Sequence, residues 1–152
     1  MFNASPKTIE VTNSNHTGTS TEDDIVYTCS SGAKFFLGPK SAGELALYLE
    51  SSDAQVVISQ IQNLDSISIT FTPTWERRDE EMFYVAISEN GVSGWTDLST
   101  KYFNNTTRTV KLPRAGDYFV RIKRKSTDVY IRKINYIYVD LSGCPNCFLY
   151  KP

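Results

Sequence analysis

Residues 66–72 alternate strictly, with Ile67, Ile69 and Phe71 on one side and Ser66, Ser68 and Thr70 on the other. A period of two marks a strand that rests one face on a core and turns the other to water. The pattern recurs along the chain. Ile25, Tyr27 and Cys29 alternate with Val26 and Thr28, and Tyr118, Val120 and Ile122 alternate with Phe119, Arg121 and Lys123. Residues 55–61 set Val57, Ser59 and Ile61 against Val56, Ile58 and Gln60. Leu45, Leu47 and Leu49 alternate with Ala46 and Tyr48, which suits a strand or one helical turn; strand-like neighbours on both sides favour the strand.

Turn residues punctuate these runs about every ten positions. Asn63-Leu-Asp65, Arg114-Ala-Gly-Asp117 and Lys125-Ser-Thr-Asp128 each read as a turn, and Pro113 is expected to stop the strand that holds Val110 and Leu112. Residues 83–98 organise the middle of the chain. An apolar run, Phe83-Tyr-Val-Ala-Ile-Ser88, meets Asn90-Gly91, whose acceptance of positive φ suits a tight turn, and the chain continues to Trp95. Residues 129–139 form the last long strand, with an irregularity expected near Lys133.

Nine Tyr, eight Phe and two Trp among 152 residues, interleaved with Thr, Ser, Val and Ile, favour pleated strands over helices. The expected fold is all-β, an antiparallel β-sandwich of jelly-roll type. One domain accounts for the length. Residues 1–24 hold the polar stretch Asn13-Ser-Asn-His-Thr-Gly-Thr-Ser-Thr-Glu-Asp-Asp24 and are expected to form a loose lead-in with one short strand at 8–12; residues 25–152 are expected to form the sandwich. No internal repeat points to a propeller or solenoid. The start, Met1-Phe-Asn-Ala-Ser-Pro6, lacks the apolar core of a secretion signal, so the chain is expected to be a fragment of a larger protein. No apolar run approaches the roughly 20 residues a membrane helix needs.

A net charge of −1 conceals a division. Residues 1–76 carry three Lys/Arg and nine Asp/Glu, whereas residues 77–152 carry thirteen and eight. Residues 101–133 hold ten basic side chains against Asp117 and Asp128 alone. Such a run is either a solvated face that discourages edge-to-edge pairing or a surface for an anionic partner.

Catalytic chemistry finds little support. The single histidine is His16, so His-assisted nucleophiles and multi-His metal sites lack ligands. Asp79-Glu80-Glu81 stand together in a charged loop, where solvated acids are the ordinary outcome. No metal and no cofactor is expected. Cys144-Pro-Asn-Cys147 has redox-pair spacing but no second pair to complete a zinc site, which leaves a small-loop disulfide or two thiols. Cys29 reads as a small buried hydrophobe. Sequons begin at Asn3, Asn15, Asn104 and Asn105 and matter only in a eukaryotic secretory setting.

The remaining signal is a basic face with aromatics. If residues 118–124 and 129–139 pair as a hairpin, Phe119, Arg121 and Lys123 share a face with Tyr130 and Arg132. Guanidinium forks take carboxylates two bonds at a time, and rings stack on pyranose faces. Trp75, with Arg77 and Arg78, extends the candidate ligand-binding set, while Trp95 is expected in the core. Near-zero net charge and the lack of a nucleic-acid motif weigh against nucleic acid as partner.

The order of Ser66-Ile-Ser-Ile-Thr-Phe71, Phe83-Tyr-Val-Ala-Ile-Ser-Glu-Asn-Gly91, Trp95-Thr-Asp-Leu98, Val110-Lys-Leu-Pro113, Tyr118-Phe-Val-Arg-Ile122 and Val129-Tyr-Ile-Arg-Lys-Ile134 resembles that of galactose-binding-like jelly-roll accessory domains. Such domains are attached to secreted bacterial polysaccharide-degrading enzymes and surface proteins, of Bacteroidetes type among others. An acidic pair common in that group is replaced here by Arg132-Lys133, which removes any calcium or polar role those acids carry. The resemblance implies a non-catalytic carbohydrate-binding or accessory module, secreted or at the cell surface, whose partner is a polysaccharide with no specific sugar; the basic face with its aromatics is what points to an acidic one. The alternative is a structural or adhesive spacer that meets flanking domains and has no sugar site.

Overall fold

A computed structural model describes residues 3–10, 19–22, 25–30, 32–37, 45–73 and 82–140. Among these there is no α-helix, and eleven strands follow one another: β1 (Asn3–Glu10), β2 (Thr19–Glu22), β3 (Ile25–Ser30), β4 (Ala33–Leu37), β5 (Leu45–Leu49), β6 (Gln55–Pro73), β7 (Phe83–Ser88), β8 (Thr96–Asp97), β9 (Thr100–Phe103), β10 (Thr107–Arg124) and β11 (Val129–Asp140). Every pairing is antiparallel. β1 begins ahead of the short strand expected at 8–12 and lies along β11.

Three long strands build the sandwich. The first part of β6 (55–58) lies between β3 and the last part of β10 (120–123), which in turn pairs with β7 and through it β8. These strands, with β2 on the far edge, make the first layer. The later part of β6 (64–73) lies between β11 and the early part of β10 (107–111), with β4, β5 and β1 beyond β11 and β9 beyond β10. That is the second layer.

β6 and β10 therefore turn a corner from one layer to the other without breaking their ladder, where turns had been expected at 63–65 and 113–117. Asn63 takes a φ of 57°, a left-handed conformation that Asn tolerates better than most residues. β10 makes the same corner through register shifts between Lys111 and Val120, bulges that bend a strand sharply. The Asn63 N–H donates to Asp117 Oδ1 at 2.9 Å, so one bond braces both corners.

Between the layers lies the core. Alternation delivers it: Ile25, Tyr27 and Cys29 of β3, Val56 and Ile58 of β6, and Val120 and Ile122 of β10 are buried from the first layer, and Leu47, Leu49, Ile67, Ile69, Phe71, Ile134 and Tyr136 from the second. Contacts across the gap are specific. Tyr27 and Tyr136 share a hydroxyl hydrogen bond of 3.1 Å, and Phe71 meets the edge of Phe83 at 5.4 Å between ring centroids. Burial, reinforced by Tyr27, raises the Tyr136 hydroxyl well above the usual phenol range. Burial also pushes the Cys29 thiol up to about 12, so it stays protonated and inert, in keeping with a packing role. The irregularity expected near Lys133 is a bulge: Ile131 pairs with Phe71 and Lys133 with Thr70, leaving Arg132 as the extra residue.

Candidate functional site

On β10 in the first layer, Val120 and Ile122 point inward and are fully buried, which turns Phe119, Arg121 and Lys123 outward. Arg121 stands beside Val57 of β6 and Ala86 of β7, and Ala86 faces Asp97 of β8. In the next row Lys123 stands between Gln55 and Tyr84. Ala86 contributes only a methyl group at the centre of this face, leaving room above it for larger side chains.

Trp95 uses that room. The Arg121 guanidinium lies 4.8 Å from the centre of the Trp95 ring, and Lys125 reaches over Tyr84 at 5.1 Å. Each pair is a cation held against a ring face. Arg121 Nε is buried and has no hydrogen-bond partner among the described residues. The guanidinium is thus half-buried and fixed in place by stacking.

The loop that delivers Trp95 is rigid for reasons visible in its residues. The strand pairing ends at Ile87 with Thr96, so the connection spans 88–95 and is longer than the tight Asn-Gly turn expected. Asn90 Oδ1 accepts from the N–H groups of Val92 and Ser93 at 2.8 and 2.9 Å. The buried Ser88 hydroxyl accepts from the N–H groups of Asn90 and Gly91 and donates to the Ser93 carbonyl. Gly91 has a φ of 76°, and a β-carbon there would sit 2.6 Å from the Phe119 ring. Only glycine satisfies both the backbone and the packing.

The other expected site residues are placed elsewhere. The hairpin between β10 and β11 does not form, because β10 already has β6 on one side and β7 on the other; residues 125–128 instead carry the chain across to the second layer. Tyr130 and Arg132 consequently lie on the outer face of that layer, apart from Phe119, Arg121 and Lys123. Tyr130 is nearly buried, stacked on Tyr48 at 4.2 Å, with Arg132 over it at 5.7 Å and donating to Thr72 Oγ1. The Tyr48 hydroxyl donates to Asp128 Oδ2, and Arg124 meets Oδ1 of the same carboxylate. Burial and then Asp128 raise the Tyr48 hydroxyl above its usual range. These contacts hold the cluster together on the second layer. Trp75, Arg77, Arg78, Cys144 and Cys147 lie outside the described residues.

Sequence reasoning missed two features. Trp95, expected in the core, is partly exposed and joins the outer face. The alanine in Val85-Ala-Ile87 was its only signal, a gap in an otherwise bulky strand. Arg108 was counted only as charge, yet it points inward, is 7% exposed, and donates to Thr100 Oγ1 and to the Phe83 carbonyl while lying over the Phe83 ring. It ties β10, β7 and β9 together at the mouth of the sandwich.

No known family profile matches the chain, and no curated protein matches it in sequence. Solved structures do. A family 32 carbohydrate-binding module of NanJ from C. perfringens, in complex with galactose, superposes with a TM-score of 0.51 at 13% identity, over 74% of this chain and 93% of that one. A second family 32 module from Clostridium perfringens gives 0.49 at 17% identity, over 78% and 96%. A low-affinity xylan-binding module from Roseburia intestinalis gives 0.48 at 13%, over 90% and 96%. The first of these likenesses, together with the strand order, assigns the antiparallel β-sandwich fold.

Proposed function

We propose that this domain is a non-catalytic carbohydrate-binding module, part of a larger secreted or surface protein, and that it holds an acidic polysaccharide across the outer face of its first layer. The observation that carries this reading is Arg121: its guanidinium is stacked on Trp95 on the outer face, one row from Lys123. A carboxylate approaching in the guanidinium plane can accept from its terminal N–H groups. Lys123 follows on the same face about 7 Å along the strand, so successive carboxylates of a uronic-acid polymer each find a cation. Phe119 and the Trp95 ring edge give apolar surface for the C–H faces of the sugars. The solved module with galactose bound supports a saccharide as the ligand class on this fold.

Electrophoresis in gels containing pectin or alginate tests this. Retardation by the acidic polymers, weakening as salt is added, and no equal retardation by a neutral β-glucan are expected. Free migration in every acidic gel overturns the reading in favour of the spacer.

A further inference from the structure

Asn90-Gly91 is the only Asn-Gly pair in the chain. Glycine puts no side chain in the way of a ring closure between its own nitrogen and the preceding carboxamide. In that reaction a bond forms from Gly91 N to Asn90 Cγ, the Gly91 amide proton passes through solvent to Nδ2, and Nδ2 departs as ammonia. Water then opens the five-membered imide at one carbonyl or the other, leaving aspartate or isoaspartate at position 90. The isoaspartyl product routes the main chain through the former side chain and lengthens it by one methylene. Water is the only co-reactant.

The folded loop opposes each part of this closure. The Gly91 N–H, whose proton must be lost, donates at 3.1 Å to the buried Ser88 hydroxyl. The carboxamide is fixed at both ends: Oδ1 accepts from the N–H groups of Val92 and Ser93, and Nδ2 donates to Ser93 Oγ at 3.3 Å. Gly91, at a φ of 76°, lies against the Phe119 ring, which stands in the way of reorienting its peptide. These bonds open before the ring forms, so the reaction proceeds only from the fraction of molecules in which the loop has come apart.

The two products act differently on the outer face. Aspartate keeps an oxygen where Val92 and Ser93 need their acceptor. Isoaspartate adds a backbone atom inside the hydrogen-bonded loop and draws the carboxylate away from those donors, and the same loop carries Trp95 to its place 4.8 Å from the Arg121 guanidinium.

We infer that Asn90 is a site of spontaneous covalent modification, gated by the 88–95 loop, and that its isoaspartyl product undoes the stacking of Trp95 on Arg121. Ageing the domain at mildly alkaline pH, in native buffer and unfolded in concentrated urea, and quantifying the asparaginyl, aspartyl and isoaspartyl forms of the peptide that holds residue 90 tests the gate. The native rate falls below the unfolded rate by about tenfold or more, the ratio set by loop opening. Ser88→Ala removes the bonds to the Asn90 and Gly91 N–H groups and to the Ser93 carbonyl, and raises the native rate by about tenfold or more. In ¹⁵N spectra the purified isoaspartyl form shifts the Trp95 and Arg121 signals, whereas Asn90→Asp leaves them close to wild type. Equal native and unfolded rates in the wild-type chain overturn the gate whether or not Ser88→Ala folds, as does a folded Ser88→Ala variant that ages no faster. Unshifted Trp95 and Arg121 signals in the isoaspartyl form overturn the release. None of these measurements involves a ligand, so they stand or fall apart from what the outer face binds.

Discussion

Phe71→Ala is expected to lower the unfolding free energy by about 3–5 kcal/mol. Phe71 comes from β6 just past the corner, is 1% exposed, and touches both layers: its ring meets the edge of Phe83 from the first layer and lies 6.1 Å from Phe103 of β9. Removing the ring opens a cavity where three strands converge, and β6, held in ladders with β10 and β11, cannot collapse to fill it. Domains of this kind have total stabilities of roughly 5–15 kcal/mol, so the variant loses a large share. Urea denaturation reads this as a lower midpoint at unchanged slope. A loss below about 1 kcal/mol would mean that the two layers do not meet through this ring.

The layers themselves were legible because burial at period two is a local property of each strand. Ile25, Tyr27 and Cys29, or Val120 and Ile122, could be assigned inward from their neighbours alone. Corners were not legible in the same way. Asn63-Leu-Asp65 and Pro113 to Asp117 carry the residues that end strands, yet a left-handed Asn and a run of bulges use the same residue types to bend a strand that continues. The misplaced half of the site has a long-range cause. A four-residue connection such as 125–128 reads as a hairpin, and whether it is one depends on whether the partner's edge is free. β7 occupies that edge of β10, a pairing that no local signal near 125–128 encodes. Hence Arg121 and Lys123 were found together, and Tyr130 and Arg132 were wrongly joined to them.

Arg121→Ala is expected to cut affinity for an acidic oligosaccharide by about tenfold to a hundredfold. Hydrogen bonds to a charged group contribute roughly 1.5–3 kcal/mol when lost, and about 1.4 kcal/mol corresponds to a factor of ten. The guanidinium is fixed by Trp95 before any ligand arrives, so little of that interaction is spent on ordering it. Arg121→Lys keeps the charge but not the planar fork, and falls between wild type and alanine. Folding is preserved in both, since the side chain lies on the outer face and the ladder around it is formed by backbone groups. Calorimetry with a short oligogalacturonate checks the order; equal affinity in all three proteins would show that Arg121 does not touch the ligand.

The most direct measurement is the map of amide shifts when the ¹⁵N-labelled domain is titrated with oligogalacturonate. Shifts centred on Val57, Ala86, Trp95, Asp97, Arg121 and Lys123, with Tyr48, Tyr130 and Arg132 unmoved, are the predicted result. Shifts centred on the outer face of the second layer, or none at all, would contradict it.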